Sequence, residues 1–437
     1  MRKRVLIMGA AGRDFHNFNT VFRDDPSFQV VAFTAAQIPF IGKRTYPPAL
    51  SGHLYPNGIP IHPEEEMTDI IRSENIDTVV FSYSDVDNDY IMKRSALCAS
   101  LNADFVLLGA GRTMLKSHLP VISVTAVRTG CGKSGVTRYL SGVLKREGRK
   151  VVVIRHPMPY GDLEKQRAQR FERPEDLKKA RCTIEEMEEY EPLIDAGVVV
   201  FSGVDYKEVL KLAEKEAGVI LWDGGNNDLP FLKPDLSIVV ADPLRPGHEL
   251  RYYNGTVNLM TASIVVINKV NASAPGDIET VVRNIKSLNP KAAIIKTAST
   301  VRVDGDIKGK KVLVIEDGPT LTHGGMFYGA GIMAARAYGA TPVDPRPWAA
   351  GTIKETFSAY PGLKDILPAL GYSAVQMKEL EETIDSTPAD AVLIATPVDL
   401  ANIIKIRKPS VRVSYWIEEV ESPGLRDAVI DFLKRMP

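Results

Sequence analysis

Short apolar runs, rich in β-branched residues, alternate along the chain with stretches of helical spacing, and glycine or proline punctuates the joins. The first run, "KRVLIMGAAGRD" at 3–14, drives into Gly9 and Gly12, and "QVVAFTAA" at 29–36 follows it. Runs at 78–84 and 104–110, interleaved with helical segments, predict a small doubly wound domain that ends near His118. This opening is Rossmann-like, although Asp14 and Phe15 stand where a dinucleotide fingerprint continues toward its third glycine. From Leu119 the rhythm resumes: 119–127, 150–156, 197–203, 218–228, 236–243, 263–270 and 292–297 read as strands of a parallel sheet, with helical stretches such as 206–216 and 278–288 between them. Apolar runs at 390–397 and 411–417 are further strands able to extend that sheet.

The strand at 119–127 leads directly into "RTGCGKS". Phosphate-binding loops read Gly, four residues, Gly, Lys, Ser or Thr: the amides cradle phosphate oxygens, the lysine reaches the β and γ phosphates, and the hydroxyl ligates magnesium. Gly132, Lys133 and Ser134 fit, whereas Val127 occupies the place of the first glycine. Helical spacing follows from Ser134 onward, so a helix N-terminus adds its amides to the loop. The expected fold is therefore α/β, with a Rossmann-like N-terminal domain at 1–118, a P-loop NTPase parallel-sheet domain at 119–300, and a C-terminal extension at 301–437 open to joining the central sheet.

Around this loop the sequence offers further chemistry. Asp223 ends the apolar run "GVILWD" and is the candidate carboxylate for a magnesium–water cluster, with Ser134 as its companion ligand. In "INKVN", Asn271 stands where guanine-specific proteins carry aspartate; Asn268, whose amide both donates and accepts, is a candidate adenine reader, and the base expectation is ATP over GTP. The nucleotide site is thus predicted to comprise Arg128, Thr129, Gly130, Cys131, Gly132, Lys133, Ser134, Gly135, Asn268 and Lys269. A basic stretch at 155–176 follows another strand tip, and Arg155, His156 and Arg167 are its candidates for a phosphorylated ligand. The remainder of 164–173 reads as a solvated helix face. "EDGPTLTHGGM" offers a second anion cradle in Thr320, Thr322, His323, Gly324 and Gly325, with His323 a candidate for proton transfer. Lys133, Asp223, Arg155, His156 and His323 form the predicted catalytic set. The proline-rich stretch 37–61, with Lys43 and Arg44, is either a docking arm or a stiffened surface loop.

Composition removes several function classes. Lys plus Arg and Asp plus Glu are both 54 in 437 residues, which gives no general case for nucleic acid or an anionic membrane. Three separated cysteines show no metal-ligand spacing and suit a reducing cytoplasm. The opening apolar run is read as a first strand rather than a leader, and no run reaches membrane-spanning length.

In combination, "GAAGRDFHNFN", "TAVRTGCGKS", "VVIRHPMPYGDL", "WDGGNND", "INKV" and "EDGPTLTHGGM" resemble the cyclic 2,3-diphosphoglycerate synthetase family of archaea, whose relatives include predicted GTPases. The resemblance is taken to run nearly the whole chain. It implies a cytoplasmic homodimer that uses ATP and Mg2+ to close a small phosphorylated acid, 2,3-diphosphoglycerate, into an internal phosphoanhydride, with Gly130, Gly132, Lys133 and Ser134 on the ATP phosphates. Two other readings stay open: a GTPase or kinase-like enzyme with another phosphorylated acid, and a nucleotide sensor without turnover.

Overall fold

The computed structural model describes residues 2–10, 12–36, 44–156, 158, 161–318, 321, 329–370 and 373–436. One sheet comprises β1 (Lys3–Met8), β2 (Phe28–Ala35), β3 (Thr45–Tyr46), β4 (Ile59–Pro63), β5 (Thr78–Phe81) and β6 (Asp104–Leu107), ordered β3-β4-β2-β1-β5-β6. Only the β3/β4 pair is antiparallel. Strand order reverses at β1, so the loops after β1 and β5 diverge and open a crevice at the carboxyl ends. The β3/β4 pair lies within the proline-rich stretch, while residues 37–43, including Lys43, fall outside the described residues.

The larger sheet holds β7 (Val121–Ala126), β8 (Val151–Arg155), β9 (Gln169–Phe171), β10 (Val199–Ser202), β11 (Val219–Asp223), β12 (Leu236–Ala241) and β13 (Ile264–Ile267). It continues through β14 (Ala293–Val303), β15 (Lys311–Asp317), β16 (Thr341–Pro342), β17 (Leu367–Ala369), β18 (Ala391–Ile394) and β19 (Ser410–Glu419). Its order is β16-β15-β18-β19-β14-β13-β12-β7-β11-β8-β10-β9, with β17 beside β15. Every residue of β7, β8, β11 and β13 is buried, which is why these strands read as continuous apolar runs rather than alternating ones. Strand β14 runs through residue 301 and pairs antiparallel with β19, from Thr297 opposite Glu419 to Val303 opposite Val413. Sheet and core are continuous there: Leu425, Val429 and Leu433 of the last helix, Leu425–Arg435, sit in the same apolar cluster as Ile122, Val124 and Leu140.

The expected helix across 164–173 is not formed. Turns lead instead into β9, which pairs antiparallel with β10 through Phe171 opposite Val200. Phe171 is buried against Tyr190 with ring centroids 4.9 Å apart, and that apolar anchor outweighs the alternating charges around it. The two sheets meet through polar contacts. Arg13 pairs with Asp228 at 2.5 Å, Arg23 with Asp205 at 3.0 Å, and His16 stacks on Phe231 with centroids 4.0 Å apart. Among the described residues, no helix is long and apolar enough to cross a membrane.

Candidate functional site

Strand β7 delivers the chain into the loop 127–132, and the helix Lys133–Arg146 starts at Lys133. Gly130 and Gly132 adopt φ of +82° and +96°, the left-handed region where side chains strain. Val127 has no such φ, and it is buried in the central core while its carbonyl accepts from Asn227 at 3.2 Å. The missing first glycine is thus not needed for this turn.

The loop is held from below. Asn268 Nδ2 donates to the Cys131 carbonyl at 3.0 Å, and its Oδ1 accepts from Thr297 at 3.0 Å. Lys269 Nζ donates to the Gly130 carbonyl at 2.6 Å and to Asp242 at 2.8 Å, and Arg245 donates to the Thr129 carbonyl at 2.8 Å. A Cβ on Gly132 would run into the Asn268 amide. Asn268 and Lys269 thus brace the loop, each end of the Asn268 amide engaging one partner. Asn271 exchanges two 2.9 Å bonds with the Ser299 backbone.

Lys133 Nζ donates to Asp223 Oδ1 at 2.9 Å, and both residues are buried. Register explains the meeting: Asp223 lies opposite Val124 of β7 on one side and Arg155 of β8 on the other. Burial works against the Asp223 carboxylate, but Arg155 and Lys133 outweigh it and hold the pKa below its ordinary value. Arg155 is 2% exposed, donates to the Asp223 carbonyl at 2.9 Å and to the Gly224 carbonyl, and pairs with Glu189. His156 is kept neutral chiefly by burial, then by Arg155. A Cβ on Gly225 would strike its ring, which accounts for the second glycine of "DGGN".

A single cleft of about 370 Å³ is lined by Lys133, Ser134 and Gly135 together with residues from both sheets. From the first sheet come the loops after β1 and β5, with Asp14 and Asp85. Asp85, at φ +60°, pairs with Arg128 at 2.8 Å and accepts from Thr129 Oγ1 at 2.5 Å, while Arg128 also stacks on Tyr252 at 3.9 Å. Part of the lining is acidic. Glu185, Glu188 and Glu189 project from the helix Ile184–Asp195, and Glu316 and Asp317 end β15. Glu316 accepts from the amides of Gly329, Gly331 and Ile332 at 2.8–3.1 Å, and burial still lifts its pKa to about 7.

The predicted residues therefore divide. The loop residues Arg128, Thr129, Gly130, Gly132, Lys133, Ser134 and Gly135 line the cleft with Arg155, His156, Asn268 and Lys269, whereas Cys131 is buried beneath it. Arg155 and Arg128 line the cleft already paired with carboxylates, Glu189 and Asp85. Arg167 lies elsewhere, exposed, donating to the Ala49 carbonyl at 2.8 Å across the seam between the sheets. Thr320, Thr322, His323, Gly324 and Gly325 lie outside the described residues. The acidic wall and Asp85 escaped the sequence reading. Carboxylates spaced i, i+3 and i+4 in "TIEEMEEYEPLID" share one helix face, which was the available signal.

A glycine loop between the buried strand β7 and the helix Lys133–Arg146, with the acidic tip of the parallel neighbour β11 beside it, defines a P-loop NTPase-like α/β protein. No family model matches the chain. It is 57% identical over 436 residues to the protein named arginine synthetase ArcE of Thermococcus kodakarensis, spanning 99% of this chain and 97% of that one, and it belongs to that family. Proteins named cyclic 2,3-diphosphoglycerate synthetase match in part: 31% over 125 residues in Thermococcus sibiricus, covering 28% of this chain and 29% of the relative, and 22% over 218 in Pyrococcus furiosus, covering 45% and 50%. The expectation that this second likeness spans nearly the whole chain is corrected accordingly. Among solved structures, the "apo" form of LpxK from Aquifex aeolicus in complex with ATP aligns at 15% identity and TM-score 0.45, over 79% of this chain and 95% of that one.

Proposed function

We propose that this chain is an ATP-dependent synthetase whose product is arginine. The observation that carries the reading is the 57% identity along essentially the full length to a protein named for that product. The cleft supports it. A bis-phosphorylated acid needs uncompensated cations, yet Arg155 and Arg128 are bound to Glu189 and Asp85, and the acidic part of the lining carries five carboxylates. A wall built of carboxyl groups suits the guanidinium of arginine.

Chemistry fixes what must be supplied. The guanidino carbon of arginine differs from the ureido carbon of citrulline by nitrogen in place of oxygen, and oxygen leaves poorly from a urea. ATP, when bound, would supply the phosphoryl group that converts this oxygen into a leaving group, so that an amine displaces it and the oxygen departs within inorganic phosphate. Gly130 and Gly132, at positive φ, shape the turn that directs its amides and those opening the helix Lys133–Arg146 toward a phosphate. Lys133 would exchange Asp223 for phosphate oxygens, and Ser134 and Asp223 are the donors suited to Mg2+. His156 lines the cleft, and burial and Arg155 hold its pKa well below the ordinary value, so it offers a neutral ring for hydrogen bonding there. A cytoplasmic homodimer remains the expected form, and analytical ultracentrifugation reads the assembly.

Incubation with ATP, Mg2+, citrulline and ammonium is expected to yield arginine and ADP by amino-acid analysis. A parallel incubation with 2,3-diphosphoglycerate, followed by phosphorus NMR, should leave the acid unchanged. Cyclic product without arginine would overturn the proposal and restore the phosphoanhydride reading.

A further inference from the structure

Resting on the arginine reading, the acidic wall acquires a specific role. Glu188 stands on the helix Ile184–Asp195, is 6% exposed and lines the cleft, yet its Oε1 has no hydrogen-bond partner among the described residues. A buried carboxyl oxygen without a donor is costly, and native structures keep few of them. Asp317, at the tip of β15, lines the same cleft and interacts directly with this side chain, which Thr396 also approaches. A buried carboxyl group set against a second, half-buried one calls for a shared proton or a cation between them. Burial, Asp317 and Glu185 all push the Glu188 pKa well above its ordinary value, as expected while the proton fills that role.

The chemistry of the pair favours one shape of cation. A planar, multi-donor organic cation meets two separated carboxylates better than a point charge does, because its N–H groups fan out in one plane. Position agrees with this. Glu189, the next residue, pairs with Arg155, whose Nε lies 3.6 Å from Asp223 Oδ2, and Asp223 pairs in turn with Lys133 at 2.9 Å. An unbroken line of alternating charges therefore joins the phosphate loop to the acidic wall.

We infer that Glu188, with Asp317 beside it, forms the subsite for the guanidinium end of the amino-acid ligand and so distinguishes arginine from its neutral ureido counterpart. The cationic ligand replaces the proton that otherwise keeps the pair compatible with burial. Glu185 adds negative charge from one turn earlier on the same helix.

Isothermal titration of the full chain tests this, with arginine, citrulline, methylguanidinium and a non-hydrolysable ATP analogue as separate ligands. Glu188→Gln keeps the shape of the side chain but cannot ionise. It is expected to weaken arginine and methylguanidinium at least tenfold, to change citrulline less than threefold, and to leave the ATP analogue as in the parent. Glu188→Asp should recover part of the arginine affinity. Unchanged affinity for arginine and methylguanidinium in Glu188→Gln, or equal losses for arginine and citrulline, overturns the subsite. The two proposals fail separately. Arginine synthesis with unaltered guanidinium binding in the variant removes the subsite alone, whereas guanidinium binding lost in the variant, with no arginine made by the parent, removes the synthetase reading and keeps the subsite.

Discussion

Asn268 shows how a residue legible in type takes its partners from the fold. From "INKVN" alone its amide suits a base edge, but the fold spends both ends on Cys131 and Thr297, a partnership that depends on β13 and β14 being neighbours. Asn268→Ala should therefore lower stability by about 1–3 kcal/mol, the consequence of leaving the Cys131 carbonyl and the Thr297 hydroxyl unpaired in the interior. It should weaken ATP and GTP by the same factor, as read by chemical denaturation and nucleotide titration; a selective loss of ATP would return Asn268 to the base. Arg155 is a similar case, since the β8/β11 register that sets Asp223 opposite it cannot be read from either strand alone. Glu316 yields a pH prediction. Its pKa is lifted, chiefly by burial, from 4.5 to about 7, so the folded chain holds that proton more tightly than the unfolded one. The associated stability is full below the unfolded pKa and is lost as pH climbs toward 7. Glu316→Gln should thus gain on the parent by about 2–3 kcal/mol between pH 5 and pH 8 in urea melts, whereas a constant difference would remove the buried-acid account.

At the scale of elements, the strands flanking the phosphate loop were the most legible part of the chain. Their β-branched runs are fully buried on both faces, so period and composition agree. Less was legible where partners decide. The segment 164–173 carries helix-like alternation of charge, but its conformation is fixed by Phe171 packing on Tyr190. The β14/β19 pairing joins segments more than a hundred residues apart by sequence number, and no local pattern announces it. The acidic wall went unread because β15, which shares the cleft with it, lies more than a hundred residues further along the chain. Because the last helix, Leu425–Arg435, completes the central core rather than hanging from it, Leu425→Ala should cost about 2–5 kcal/mol, measured as a fall in the denaturation midpoint. A change below 1 kcal/mol would mean that the helix is peripheral.

For the whole molecule, the arrangement of the two sheets matters most, since the cleft takes walls from both. Asp85 is the first sheet's direct hold on the phosphate loop, through Arg128 and Thr129. Asp85→Ala should raise the KM for ATP roughly tenfold, about 1.4 kcal/mol, by releasing those two residues, and initial rates across ATP concentrations check it. The central claim is narrower: the γ-phosphate is used to activate a ureido oxygen so that nitrogen can replace it. The most direct measurement labels that oxygen. Citrulline carrying 18O in its ureido group, turned over with ATP, Mg2+ and ammonium, should give inorganic phosphate with one 18O atom, seen as an isotope-shifted line in the phosphorus NMR spectrum. Phosphate formed in step with arginine but free of label would contradict the account.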